Sequence, residues 1–108
     1  MDFNLKFVET GNWVLGESMA SCEITCAQSG RTCNAEEQSM ITTNELIAQK
    51  MEVAGSSCEG FNKKVSSAAR PFRNEETGEC APVEVGSKSD CSETPYPKHR
   101  ALCYCEGF

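Results

Sequence analysis

The chain has 108 residues, the size of one domain, with eight cysteines and 7% aromatic residues; sixteen acidic against ten basic residues leave a net charge of −6. That balance argues against non-specific binding to nucleic acid or to anionic membranes, and against a membrane-disrupting peptide, which needs a basic face. No apolar run approaches the roughly 20 residues of a membrane span, so no membrane insertion is expected.

Residues 3–8 alternate apolar and polar, which predicts a short strand with Phe3, Leu5 and Phe7 inward. Thr10-Gly11-Asn12 is a turn signal, and Trp13-Val14-Leu15 is a second short apolar run in which Trp13 is read as a core anchor. A first helix is predicted from Glu17 to Ser29, capped by Ser18 or Ser21 and closed by Gly30, with Cys22, Ile24 and Cys26 inward. The second helix has the clearer signature. Thr42 and Glu45 have capping-box spacing, Leu46, Ile47, Met51 and Ala54 supply an apolar stripe, and Gly55 closes it. On this helix Lys50 and Met51 are placed to help a surface groove, although Met more often faces a core. Val83-Glu84-Val85 reads as a short strand, and Ala101 to Cys105 as another. His99, the single histidine, falls between Lys98 and Arg100 and is read as an exposed loop residue. No internal repeat or linker divides the chain, so 1–108 is one domain.

Crosslinks stabilise small domains whose cores are thin, and an even number of cysteines favours four disulfides. Disulfides imply the extracellular space or the secretory lumen. The opening Met1-Asp2-Phe3-Asn4 has neither a basic nor an apolar leader region, so the expectation is a mature form behind a start methionine. Cys22 and Cys26 share a face of a helix, and Cys103 and Cys105 share a face of a strand. A helix lying across a strand can therefore be bridged to it twice. The pairing itself stays open, since eight cysteines permit on the order of 100 connectivities.

The chemistry-bearing patterns are sparse. No Gly-x-Ser-x-Gly elbow, Cys-x-x-Cys redox motif or phosphate-binding glycine loop occurs. Glu36-Glu37 and Glu75-Glu76 do not follow a calcium-loop spacing. Zinc is the stronger rival to disulfides, but only Cys22 and Cys26 have knuckle spacing. Neither a metal nor another cofactor is expected, and no catalytic residue is assigned. Lys63, Lys64, Arg70 and Arg73 form the one basic patch of an acidic chain, able to contact sulfate, phosphate or an acidic partner. With Tyr96 they are the candidate ligand-binding residues, against the alternative of a solvated loop.

The spacings Cys22-x3-Cys26 and Cys103-x-Cys105 resemble the cystine-stabilised α/β motif of defensins and scorpion toxins. The resemblance implies Cys22–Cys103 and Cys26–Cys105. Of the four cysteines then left, sequence neighbours give Cys33–Cys58 and Cys80–Cys91. A second resemblance covers more of the chain. Trp13-Val14-Leu15, Cys22-x3-Cys26-x6-Cys33, the spaced Cys58, Cys80 and Cys91, and Arg100-Ala101-Leu102-Cys103-Tyr104-Cys105 follow in order. This is similar to the C-terminal cysteine-rich region of animal α-1,6-mannosylglycoprotein 6-β-N-acetylglucosaminyltransferases. The ending expected of that family is Arg-Leu-Cys-Pro-Cys; here Ala101 is extra and Tyr104 replaces proline. The likeness implies a secretory-pathway module, and no catalytic residue maps onto this chain.

The expectation is a small disulfide-rich α+β domain, two helices packed on a short antiparallel sheet with four disulfides. Its expected function is secreted and non-enzymatic, binding an extracellular protein or glycan through loops held by the bridges. The alternative is an accessory module of a secretory-pathway glycosyltransferase, or a small hydrolase.

Overall fold

The computed structural model describes residues 12–62 and 69–107. The strand expected over residues 3–8 lies outside them. In chain order the described elements are β1 (Trp13–Leu15), α1 (Cys22–Ala27), β2 (Thr32–Cys33), α2 (Ala35–Ser39), α3 (Asn44–Val53), β3 (Gly60–Phe61), β4 (Phe72–Asn74), β5 (Glu79–Ala81) and β6 (His99–Glu106). This is the expected disulfide-rich α+β class, with three helices among the described residues instead of two.

β1, β2 and β4 each pair with β6. The strand order is β1-β6-β4-β5-β3, and β2 also pairs with β6. All these pairings are antiparallel except that of β3 with β5. Successive side chains of a strand point to opposite faces. One face of β6 therefore carries Ala101, Cys103 and Cys105, which bury with Cys22 and Cys26. The other carries Leu102, which buries with Trp13, Ile41, Ile47, Met51 and Cys80, and Tyr104 packs against that cluster. The β1 register continues the split: Trp13 lies beside Tyr104 and Leu15 beside Leu102, while Val14 lies beside Cys103.

The first helix is shorter than its sequence signal. Ser21 is the cap, its hydroxyl accepting from the Ile24 N–H at 3.2 Å, and Gly30 adopts φ +72° beyond the end. Cys22 bonds Cys103 and Cys26 bonds Cys105, with Cα separations of 5.4 and 5.2 Å. The helix–strand geometry implied by the cystine-stabilised motif is thus present. Ile24 is turned outward and 53% exposed, not inward. It sits about 200° around the helix from both cysteines, and the two bridges define the inner face.

The third helix carries the expected stripe. Ile47 and Met51 are fully buried, Leu46 and Ala54 pack beside them, and Gly55 follows at φ +85°. The cap is Thr43, whose hydroxyl accepts from the Leu46 N–H at 3.1 Å, one residue later than expected. The short α2 was not anticipated, although Asn34 and Glu37 have capping spacing, and the Asn34 side chain accepts from the Glu37 N–H at 3.1 Å. It delivers Gln38, fully buried, whose carbonyl accepts from the Tyr104 N–H at 2.9 Å and whose amide donates to Ser89 at 2.7 Å.

Three sequence-based expectations are corrected. The remaining bridges are Cys33–Cys91 and Cys58–Cys80, not Cys33–Cys58 and Cys80–Cys91. Parallel pairing sets Phe61 beside Cys80 and so brings Cys58 to it, while Cys33 lies opposite Cys105. The Cys91 carbonyl accepts from the Glu23 N–H at 2.9 Å, which holds Cys91 near the same end of β6. His99 is a β6 residue only 7% exposed. Pairing of Phe72 with Ala101 and Asn74 with His99 lays its ring on Phe72, centroids 4.2 Å apart. Val83 to Val85 is not a strand: Val83 is buried and donates to the Ile41 carbonyl at 2.9 Å, but Val85 is 85% exposed and no ladder forms.

Candidate functional site

Of the basic patch, Arg70 and Arg73 are among the described residues, and both are engaged within the fold. Lys63 and Lys64 lie outside them. Arg70 is 6% exposed and donates to the Pro82 carbonyl at 3.2 Å. Arg73 donates to the Ser57 carbonyl at 2.7 Å and pairs with Glu59 at 2.8 Å and with Glu75. Glu75 also pairs with Arg100 at 2.9 Å. The Arg100 hydrogen bond, opposed by partial burial and reinforced by Arg73, holds the Glu75 carboxyl below its usual range. A guanidinium matched by two carboxylates ties loop to sheet; it does not present net positive charge to a ligand. Among the described members of the predicted set Tyr96 is the exposed one, its ring 5.7 Å from that of His99.

A different surface is concave. Where the β1 edge of the sheet diverges from α2 and α3, a cleft of about 500 Å³ opens. Trp13, Ile41 and Tyr104 form its floor, and Met40, Leu46 and Val53 its walls. Asn12, Glu37 and Lys50 supply its polar groups. The floor is preorganised. Trp13 and Tyr104 are set beside each other by strand register and pack edge to face, centroids 5.0 Å apart. The Asn12 amide donates to the Tyr104 hydroxyl at 2.9 Å, and Gln38 holds the Tyr104 backbone from α2. Met40, 59% exposed, offers an unbranched side chain that adapts to what it meets.

Among the described residues, Glu37 is the single carboxylate of the lining. All eight cysteine sulfurs are in disulfides, and no group of three or more His, Cys, Asp or Glu among the described residues is placed to hold a metal. Of the two residues read as groove candidates on α3, Lys50 lines the cleft and Met51 is fully buried beneath it. The sequence reading missed Met40, Leu46, Val53 and Tyr104 as lining residues. Leu46 carried the stripe signal, but nothing local distinguishes a stripe position that closes a core from one that borders an opening. No protein-family model matches the chain, and no curated protein matches it.

Proposed function

We propose that this chain is a secreted, non-enzymatic recognition module that grips a segment of an extracellular protein in the cleft between β1 and the α2–α3 pair. The observation that carries this is the lining: a rigid aromatic floor, aliphatic walls and two isolated charges, the composition of a site that takes apolar side chains. Four disulfides are typical of proteins of the extracellular space or the secretory pathway, which supports secretion. No helix among the described residues is long and apolar enough to cross a membrane.

A protein segment fits better than a glycan. Sugars stack on the open face of an aromatic ring, and Trp13 is only 7% exposed. The accessory-module reading draws on a likeness that runs from Trp13 to Cys105, of which Trp13 and Tyr104 line the cleft and the cysteines form the bridges. The test is to screen the oxidised protein in parallel against a random-peptide library and a glycan array, each with the wild-type chain and with Met40→Asp. Peptide binding lost in Met40→Asp is the expected result. Glycan binding alone, or peptide binding indifferent to Met40→Asp, overturns the proposal.

A further inference from the structure

We infer that Cys33–Cys91 is a redox switch: a dithiol opens it while the other three bridges and the sheet persist, and its opening loosens α2 and the segment that follows β5. Such a switch stands whether or not the cleft takes a peptide. The four bridges are unequally placed. The residues of Cys22–Cys103 and Cys26–Cys105 are all buried, none more than 4% exposed. Cys58 is half-buried, but its partner Cys80 is fully enclosed in the packed core. Attack on that bridge from outside expels the Cys80 thiolate into the core, where burial makes it a poor leaving group. In Cys33–Cys91 both residues are half-buried, and access favours exchange there. The fold agrees. Cys80, Cys103 and Cys105 are residues of β5 and β6, while Cys91 lies in residues 82–98, which form neither helix nor strand. No strand pairing runs through Cys91.

Gln38 carries the state of the bridge into the fold. Its Oε1 lies 3.1 Å from Cys33 Sγ and accepts from the Tyr104 N–H at 2.9 Å. A bridged sulfur has no hydrogen to donate. A thiol on Cys33 donates to the same oxygen and competes with the Tyr104 N–H. The Gln38 amide donates to the Ser89 hydroxyl at 2.7 Å, and the Ser89 N–H donates to the Ser39 hydroxyl at 2.8 Å. Cys91, just beyond, is the covalent tie of that segment, so opening it leaves Ser89 held to α2 by hydrogen bonds alone. Tyr104 is part of the cleft floor and Met40 caps α2, so the opened form has an altered cleft. The exchange balances. A thiolate of the dithiol attacks one sulfur, the S–S bond breaks, and a mixed disulfide forms as the other cysteine leaves. The second thiolate attacks the mixed bond, closes the reagent's own disulfide and releases the remaining cysteine. Two electrons and two protons pass from the dithiol to the bridge.

Dithiothreitol is the probe. The oxidised protein is titrated with it, and thiols are trapped by alkylation and mapped by peptide mass. Cys33 and Cys91 should be alkylated first, while the other six cysteines remain bridged. In that form the Tyr104 and Ser89 amides should exchange hydrogen about tenfold faster, the loss of one hydrogen bond. The Leu102 amide, bonded to the Pro71 carbonyl, should stay protected. The double variant Cys33→Ser, Cys91→Ser should melt cooperatively and show the same exchange pattern. Alkylation of any other pair first, or of all eight cysteines together, overturns the switch. So does a double variant without a cooperative melt. Opening of Cys33–Cys91 with the Tyr104 and Ser89 amides as slow as before overturns it too. No ligand enters these readouts, so the switch and the recognition reading fail separately.

Discussion

On one face of β6, Ala101, Cys103 and Cys105 meet α1 through two disulfides; on the other, Leu102 and Tyr104 meet Trp13, Ile41, Ile47 and Met51. The helix on the first face has six residues and turns its one large aliphatic side chain, Ile24, to solvent. So short a helix buries too little apolar surface to hold itself, and the bridges replace the missing burial by restricting the unfolded chain. The helix on the second face has ten residues and buries Ile47 and Met51 completely. One strand thus joins a half tied to it by two disulfides to a half held mainly by packing, in which Cys58–Cys80 is the one bridge, and the cleft opens on the packed half.

The strongest way to separate the halves is to remove the bonds. Full reduction by a dithiol should abolish the cooperative thermal transition, because two bridges close loops of 81 and 79 residues, each worth about 4–5 kcal/mol alone. A melt unchanged by reductant would refute the division. Next in size is a cut into the packed half with all bridges intact. Ile47→Ala should cost about 3 kcal/mol in urea unfolding, since the side chain is fully enclosed. A loss under about 1 kcal/mol would mean that the bridges carry both halves.

Removing Cys22–Cys103 alone, as the double Cys→Ser variant, should cost about 2 kcal/mol, less than its loop length implies. Cys26–Cys105 already closes nearly the same loop, so deleting both bridges should cost more than twice that amount. Additive losses would show that the two bridges constrain the chain independently. Smaller still is the cap of the packed helix. Thr43→Ala should cost about 1 kcal/mol and Thr42→Ala much less, because the Thr43 hydroxyl holds the Leu46 N–H.

The last handle is pH. Burial holds the His99 imidazole below its ordinary value of 6.5. The unfolded chain therefore binds its proton first. The contribution of His99 to stability is complete above about pH 6.5 and is lost as pH falls through the folded-state value. His99 is the single histidine. His99→Gln should therefore flatten the fall in melting temperature below neutrality, and an unchanged slope would assign the titration elsewhere.

Local chemistry in the sequence determined the disulfide-rich α+β class, the apolar stripe on the long helix, the glycines that close α1 and α3, and strand character at the C-terminal cysteines. Each depends on spacing within a few residues: i and i+4 on a helix, i and i+2 on a strand, or a cap beside the turn it completes. Tertiary structure alone decided what long-range register places together. Parallel pairing of β3 with β5 sent Cys58 to Cys80, and the Phe72–Ala101 pairing buried His99. Arg70 and Arg73 look like free cations in a loop until the fold supplies two carbonyls and two carboxylates to hold them. The cleft is the extreme case, because it lies where a sheet edge and two helices diverge, and no single segment carries the shape of a space between others.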